Sequence, residues 1–201
     1  MRLPRAAHTR QAWRIHAFAP DFRTEDVWAF RTPGAGPGDL DVMLAAMRAA
    51  GGVARQSPAN RALFAVRRKL GALLGWDRPE AGLGTRVRSL RERLPPELAA
   101  TVDTAEPDGL PLTPVYRLQD EYVRELANGT VHTLMHLGWA PARDGGHELR
   151  MAVLVKPNGR FGRSYLKLIA PFRYLIVYPA LTRQWERAWR DRRLLLAGGA
   201  S

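Results

Sequence analysis

The chain contains no cysteine, which removes disulfides, thiol catalysis and cysteine-ligated zinc or iron–sulfur centres together. Lysine is nearly missing as well: only Lys69, Lys156 and Lys167 stand among the 31 basic residues. Acidic residues are also few, 19 against those 31, and the formal charge is +12 at pH 7. A GC-rich codon bias accounts for arginine in place of lysine, but not for the shortage of Asp and Glu. Guanidinium groups fork carboxylates and phosphates bidentately, so the balance points to anionic partners. The first twenty residues have arginines but no apolar run of signal-peptide length, so a cytoplasmic chain is expected. With 201 residues, one domain over 1–201 is expected, large enough to bury a core without a structural metal.

Several familiar chemistries are missing too. Gly34-Ala35-Gly36-Pro37-Gly38 resembles a nucleotide loop only superficially, because Asp39 stands where a dinucleotide fingerprint needs glycine. An aspartate at a helix start also repels the phosphate that the helix dipole attracts. No GK[ST] follows, which excludes a P-loop. His132 and His136 have the spacing of a helical metal pair, but on a strand they lie about 13 Å apart, too far for one ion. They read as surface or hairpin-packing side chains, and neither a metal nor a cofactor is expected. Tyr165, Tyr174 and Tyr178, with Arg173, read as core or cavity lining. The apolar run over 165–181 is interrupted by two prolines and by Lys167 and Arg173, each costing about 3 kcal/mol at mid-bilayer, so no membrane span is expected.

What is present is a change of period. Residues 13–18 (WRIHAF) alternate and predict a first strand, while 25–30 (EDVWAF) fit either a strand or a helical turn. Asp39 is placed to cap a helix reaching about Ala50, with Leu40, Met43, Leu44 and Met47 on one side. Ser57 and Pro58 open a second helix, closed by Gly75, and 89–94 predict a further short one. A surface loop follows over 95–111. Strands are then expected over 115–118, 121–127, 130–140 and 148–156, with turns at Asn128-Gly129 and Asp144-Gly145-Gly146. In the last of these, Leu149, Met151, Val153 and Val155 share one face. Val131, Thr133, Met135, Leu137 and Trp139 share one face of the strand before it. After Pro157-Asn158-Gly159 the spacing turns helical, with Tyr165, Ile169, Phe172, Leu175 and Ile176 on a common side and kinks due at Pro171 and Pro179.

This order of elements resembles the START-like (SRPBCC, helix-grip) superfamily, which includes the birch-pollen-allergen family. The stretches ANRALFAVRRKLGALLGWD and VKPNGRFGRSYLKLIAPFRYLIVYPAL resemble a bacterial family of unknown function within it, sometimes fused to an NAD(P)-binding reductase-like domain. The resemblance implies an α+β helix-grip fold: a curved antiparallel β-sheet wrapped around a long C-terminal helix, with an apolar cavity between them. A small apolar ligand would then meet Thr133, Met135, Leu137, Trp139, Met151, Val153, Tyr165, Ile169 and Phe172. From the basic residues comes a second reading. Residues 156–193 hold ten Lys or Arg against Glu186 and Asp191, and Arg160, Arg163 and Lys167 could gather an anion near Asn158. On that reading the chain is a basic module docking an acidic protein, such as a reductase; nucleic acid is a weaker match because none of its binding motifs is present. No residues forming a catalytic constellation stand out.

Overall fold

The computed structural model describes residues 1–50, 87–102, 112–127, 131–143, 145–157, 170–171 and 173–197. The helix expected from Ser57, the Asn128-Gly129 turn and the start of the C-terminal helical segment lie outside them. Five strands form one curved antiparallel sheet: β1 (Arg23–Phe30), β2 (Thr113–Arg117), β3 (Glu121–Ala127), β4 (Val131–Pro141) and β5 (His147–Pro157). Their order is β1-β5-β4-β3-β2, so the first strand pairs with the last. The four later strands fall where period two placed them, and residues 25–30 resolve as strand. Both edge strands are bulged, between Thr24 and Asp26 and between Pro114 and Tyr116. A bulge bends its strand and sharpens the twist, which curves the sheet. Pro114 is tolerated because it sits beside such a bulge on an edge strand.

Helical layers cover both faces of the sheet. On the first face, Trp28 and Phe30 of β1 align with Met151 and Leu149 of β5, and these with Leu137 and Trp139 of β4. Over them lie α3 (Leu40–Ala49), through Leu40, Met43 and Leu44, and α5 (Tyr178–Arg190), through Tyr178, Trp185 and Trp189. The indole of Trp139 donates to the Gly36 carbonyl at 2.8 Å and that of Trp189 to Pro33 at 3.0 Å. The glycine-rich loop is therefore strapped down by two tryptophans. Asp39 takes the Gly36 N–H at 2.8 Å, so it closes the loop rather than the helix end it was expected to cap.

The second face carries buried polar groups. His132, Leu134, His136 and Gly138 of β4 lie beside Glu121, Val123 and Glu125 of β3. This face is covered by α1 (Ala6–Thr9), α2 (Ile15–Phe18) and a 3-10 turn, Leu90–Arg93, that leads into α4 (Pro96–Ala99). Trp13, Ile15, Phe22, Leu90 and Leu94 pack there on Tyr116, Val123, Leu134 and Leu154. Two sequence expectations change as a result. Residues 13–18 form a helical turn, because the Glu121 carboxylate accepts the Arg14 and Ile15 N–H groups at 2.6 and 3.3 Å and holds the chain at a helix start. His132 and His136, expected at the surface or in hairpin packing, are 3% and 0% exposed. Diagonal glutamates on β3 make that possible: Glu125 meets His132 at 3.0 Å and Glu121 meets His136 at 3.1 Å.

The Glu121 carboxylate also accepts the Tyr116 hydroxyl at 2.9 Å. Burial alone raises its pKa, yet the bonds from His136, Arg14 and Tyr116 hold it below the ordinary range. His136 is kept neutral by burial, donates through Nε2 to Glu121, and accepts at Nδ1 from His8 Nε2 at 3.1 Å. His8, the buried residue of α1, is pushed down to about 3 by burial and then by the neighbouring histidines. Two glutamates thus dock two distant helical turns onto one strand.

The C-terminal segment departs from its expected phase. A π-turn, Arg173–Val177, precedes Pro179, which has no N–H for the carbonyl four residues back; the wider turn relieves the clash of its ring. The extra residue rotates the helix, leaving Leu175 76% and Ile176 37% exposed, while Tyr178 is buried. After Asp191 a last turn, α6 (Arg192–Ala197), packs toward α3.

Two outcomes test this arrangement. A Cβ on Gly138 would lie 2.7 Å from the Trp13 ring and 2.9 Å from His136. Gly138→Ala is therefore expected to lower stability by about 1–3 kcal/mol in urea titrations. Because His8 and His136 bind protons less readily folded than unfolded, the unfolded chain takes up protons first as pH falls below 6.5. Stability is complete above that value. Below it, stability falls by up to about 1.4 kcal/mol per pH unit for each histidine, and for His8 the loss continues toward pH 3. His8→Gln should flatten the decline of the urea midpoint between neutral pH and pH 5.

Candidate functional site

The apolar residues expected to line a cavity divide into two groups. Leu137, Trp139 and Met151 are fully buried under α5, where Trp139 meets Trp189 at 5.9 Å between ring centroids and Phe30 meets Trp185 at 4.6 Å. That part of the sheet–helix layer is filled by aromatic rings. Thr133, Met135 and Val153, on the same face and further along, are only half-buried. Tyr165, Ile169 and Phe172, and the anion-site candidates Arg160, Arg163 and Lys167, lie outside the described residues.

The strand register places a charged residue at each end of this half-buried stretch. One row across the sheet reads Asp26, Val153, Met135, Arg124, from β1 to β3. Asp26 and Arg124 are each 2% exposed. Arg124 donates through Nε to the Leu112 carbonyl at 3.0 Å and lies over the Tyr122 ring. The β1 bulge adds Glu25 as an extra residue next to Asp26, so two adjacent carboxylates stand where a regular strand would turn one of them away.

Asp26 is enclosed from the helix side. Tyr178 donates to Oδ2 at 2.6 Å, and the Tyr174 hydroxyl donates to Oδ1. Burial, and then the hydrogen bond to Asp26 and its charge, raise the pKa of both phenols, which holds them protonated as donors. Trp28 lies against Tyr178 with 4.7 Å between centroids. Arg173 Nη2 stands 3.4 Å from Asp26 and 3.5 Å from Glu25, but its Nε and Nη2 make no hydrogen bond. Arg2 lies 4.6 Å over the Tyr174 ring and reaches its hydroxyl at 3.4 Å. Arg5 approaches Glu25 to 4.0 Å with a side chain 58% exposed.

A cleft of about 310 Å³ opens at this point, lined by Arg2, Leu3, Pro4, Arg5, Glu25, Asp26 and Val27. It lies at the β1 edge of the sheet, whereas the expected cavity lay under the helix. The arrangement places guanidinium groups around a carboxylate that already accepts from two phenols. Among the described residues no cluster of three or more His, Asp or Glu side chains is placed to hold a metal ion. Sequence reasoning had singled out Tyr174, Tyr178 and Arg173 but missed Asp26 and Glu25. Two adjacent acids leading an otherwise apolar strand were the available signal.

Removing the Tyr178 hydroxyl leaves a buried carboxylate oxygen short of its best donor. Tyr178→Phe is expected to cost about 1.5–3 kcal/mol in urea unfolding. The double variant with Asp26→Asn should cost less than the sum of the singles, because both changes touch one network.

The model of a family of proteins of unknown function, DUF2867, matches residues 18–180, and the chain belongs to that family. The match includes all five strands, Asp26, Tyr174 and Tyr178, and ends before Trp185 and Trp189. No curated protein matches the chain, and no solved structure does.

Proposed function

We propose that this DUF2867 protein binds a small ligand with an apolar body and an anionic head. The body rests on the sheet face formed by Thr133, Met135 and Val153, and the head meets the guanidinium groups at the β1 edge. One observation carries the reading: two loosely held arginines, Arg2 and Arg5, line a cleft that shares Asp26 with the half-buried row of Val153 and Met135. Small-molecule sites combine an apolar floor with a few converging polar groups, and this edge has both. Asp26 gives the site its selectivity. It fixes the phenols and repels a second carboxylate that comes too deep, so the anion stays among the arginines. In this reading the polar cluster positions the ligand and transfers no proton.

The experiment is native mass spectrometry of the purified protein, followed by thermal shift with medium-chain and aromatic carboxylic acids and the matching alcohols and amines. Acids should raise the melting temperature, and the alcohols and amines should not. Val153→Trp should fill the floor and abolish the effect, and Arg5→Glu should weaken it by roughly tenfold, the scale of one charge-assisted contact. If acids and alcohols shift the melting temperature equally, or no acid shifts it at millimolar concentration, the reading fails.

A further inference from the structure

The outer side of α5 has a composition that neither the fold nor the ligand site requires. At about 100° per residue, Arg183, Arg187 and Arg190 form a single stripe, directly opposite the buried Tyr178, Trp185, Ala188 and Trp189. All three arginines are exposed, as is Arg193 just beyond the helix, and among the described residues none of the four has an ion-pair partner. Glu186 is within one turn of Arg183 and Arg190, yet its carboxylate is taken by the Arg31 N–H at 3.0 Å. Asp191 is the other acid on this surface. Arg192 differs from its neighbours: it stacks 3.9 Å over Trp189 and donates to that residue's carbonyl.

Apolar side chains flank the stripe. Met1 apart, the exposed large hydrophobic residues among those described are Leu175 and Ile176 before it and Leu194 and Leu196 after it. Leu175 is 76% and Leu194 79% exposed. Water is a poor solvent for four such side chains, two in the π-turn before α5 and two in α6 after it, and a strictly polar partner would leave them just as exposed. A nucleic-acid backbone could neutralise the arginines but offers leucine nothing. An anionic bilayer surface meets both needs, with headgroups for the guanidiniums and an acyl boundary a few ångströms deeper for the leucines.

We infer that the outer face of α5 and α6 is a docking surface for anionic lipid membranes, with Arg183, Arg187 and Arg190 at the headgroups and Leu175 and Leu194 as shallow anchors. The helix lies on the membrane and does not enter it: no helix among the described residues is long and apolar enough to cross. The arginine stripe lies on the side of α5 opposite the residues buried against the sheet, so its three arginines take no part in the ligand reading above. Binding should be weakened by salt, because exposed charges are screened over about 10 Å at 0.1 M.

The test is co-sedimentation of the full chain with vesicles of phosphatidylcholine alone and with vesicles in which a third of the lipid is phosphatidylglycerol. The protein should pellet with the second and not the first, and salt should release it. Loss of one arginine near an anionic surface weakens partitioning by about fivefold, so R183Q/R187Q/R190Q should lose more than tenfold. R10Q/R14Q/R143Q removes the same charge elsewhere and should change little. L194S/L196S should weaken binding with the charge intact, and circular dichroism confirms that each variant is folded. Equal loss in the two arginine triples would reduce the effect to net charge and overturn the inference, as would no binding to anionic vesicles. A short DNA duplex retained by the protein, lost in R183Q/R187Q/R190Q and indifferent to L194S/L196S, would assign the stripe to nucleic acid instead.

Discussion

Glu121 and Glu125 stand four residues apart on β3 and project into the layer between the sheet and the first helical turns. Each carboxylate does two jobs at once. Glu121 caps the turn that begins at Arg14 and takes a histidine from β4; Glu125 accepts from Ser89 and the Leu90 N–H and takes the other histidine. A carboxylate in such a place is costly unless its lone pairs are filled, and here they are filled by groups that are themselves orphans. Helix-start N–H groups need an acceptor, and a buried imidazole needs a partner for its N–H. The short helices α2 and the Leu90–Arg93 turn are below the length at which a helix holds itself, so their geometry is borrowed from β3. The apolar side chains Trp13, Ile15, Leu90 and Leu94 bring these turns onto the second face, and the two acids fix where each turn begins.

The polar clusters on the two faces differ in how fully their donors and acceptors are matched. Around Glu121 the donors match the acceptor: two backbone N–H groups, a phenol and an imidazole, all in reach and shielded from water. Around Asp26 the two phenols suffice, and Arg173, Arg2 and Arg5 gather in addition with long or missing hydrogen bonds. A guanidinium has five donors in a fixed fork, so one that stands 3.4 Å from a carboxylate without bonding to it is poorly used by the fold. Arg2 and Arg5, which line the cleft beside it, are the guanidinium groups that an anionic ligand group would meet. The bulge that places Glu25 and Asp26 side by side is the backbone device that assembles them.

The helix α5 serves two environments. Its inner side supplies Trp185 and Trp189, whose rings fill the space over Phe30, Leu137 and Trp139; the Trp189 indole also straps the loop after β1. Its outer side carries arginines that the core does not use. A codon bias toward arginine explains which basic residue stands there. It does not explain why several of those arginines lack acidic neighbours, nor why leucines stand exposed at both ends of the stripe.

Some of this was settled by local chemistry alone. The strands expected over 121–127, 130–140 and 148–156 fall within one residue of the observed ones at each end, and Leu40, Met43 and Leu44 marked the buried side of α3, because hydrophobic period acts within a few residues. Alternation also separated the faces of β4 and β5, with Leu137, Trp139 and Met151 on one side, and α5 lies over that side. What sequence could not supply was the partner of each face. Residues 13–18 alternate well enough for a strand and became a helical turn because a glutamate more than a hundred residues away accepts their N–H groups. His132 and His136 read as surface residues because their acids are diagonal neighbours that only strand register brings together. The phase of the C-terminal helix slipped at a π-turn whose cost and benefit depend on Pro179 and on the packing of Tyr178. Asp26 was invisible as a site for the same reason: its phenols lie about 150 residues away in the chain, and only the fold makes them its donors.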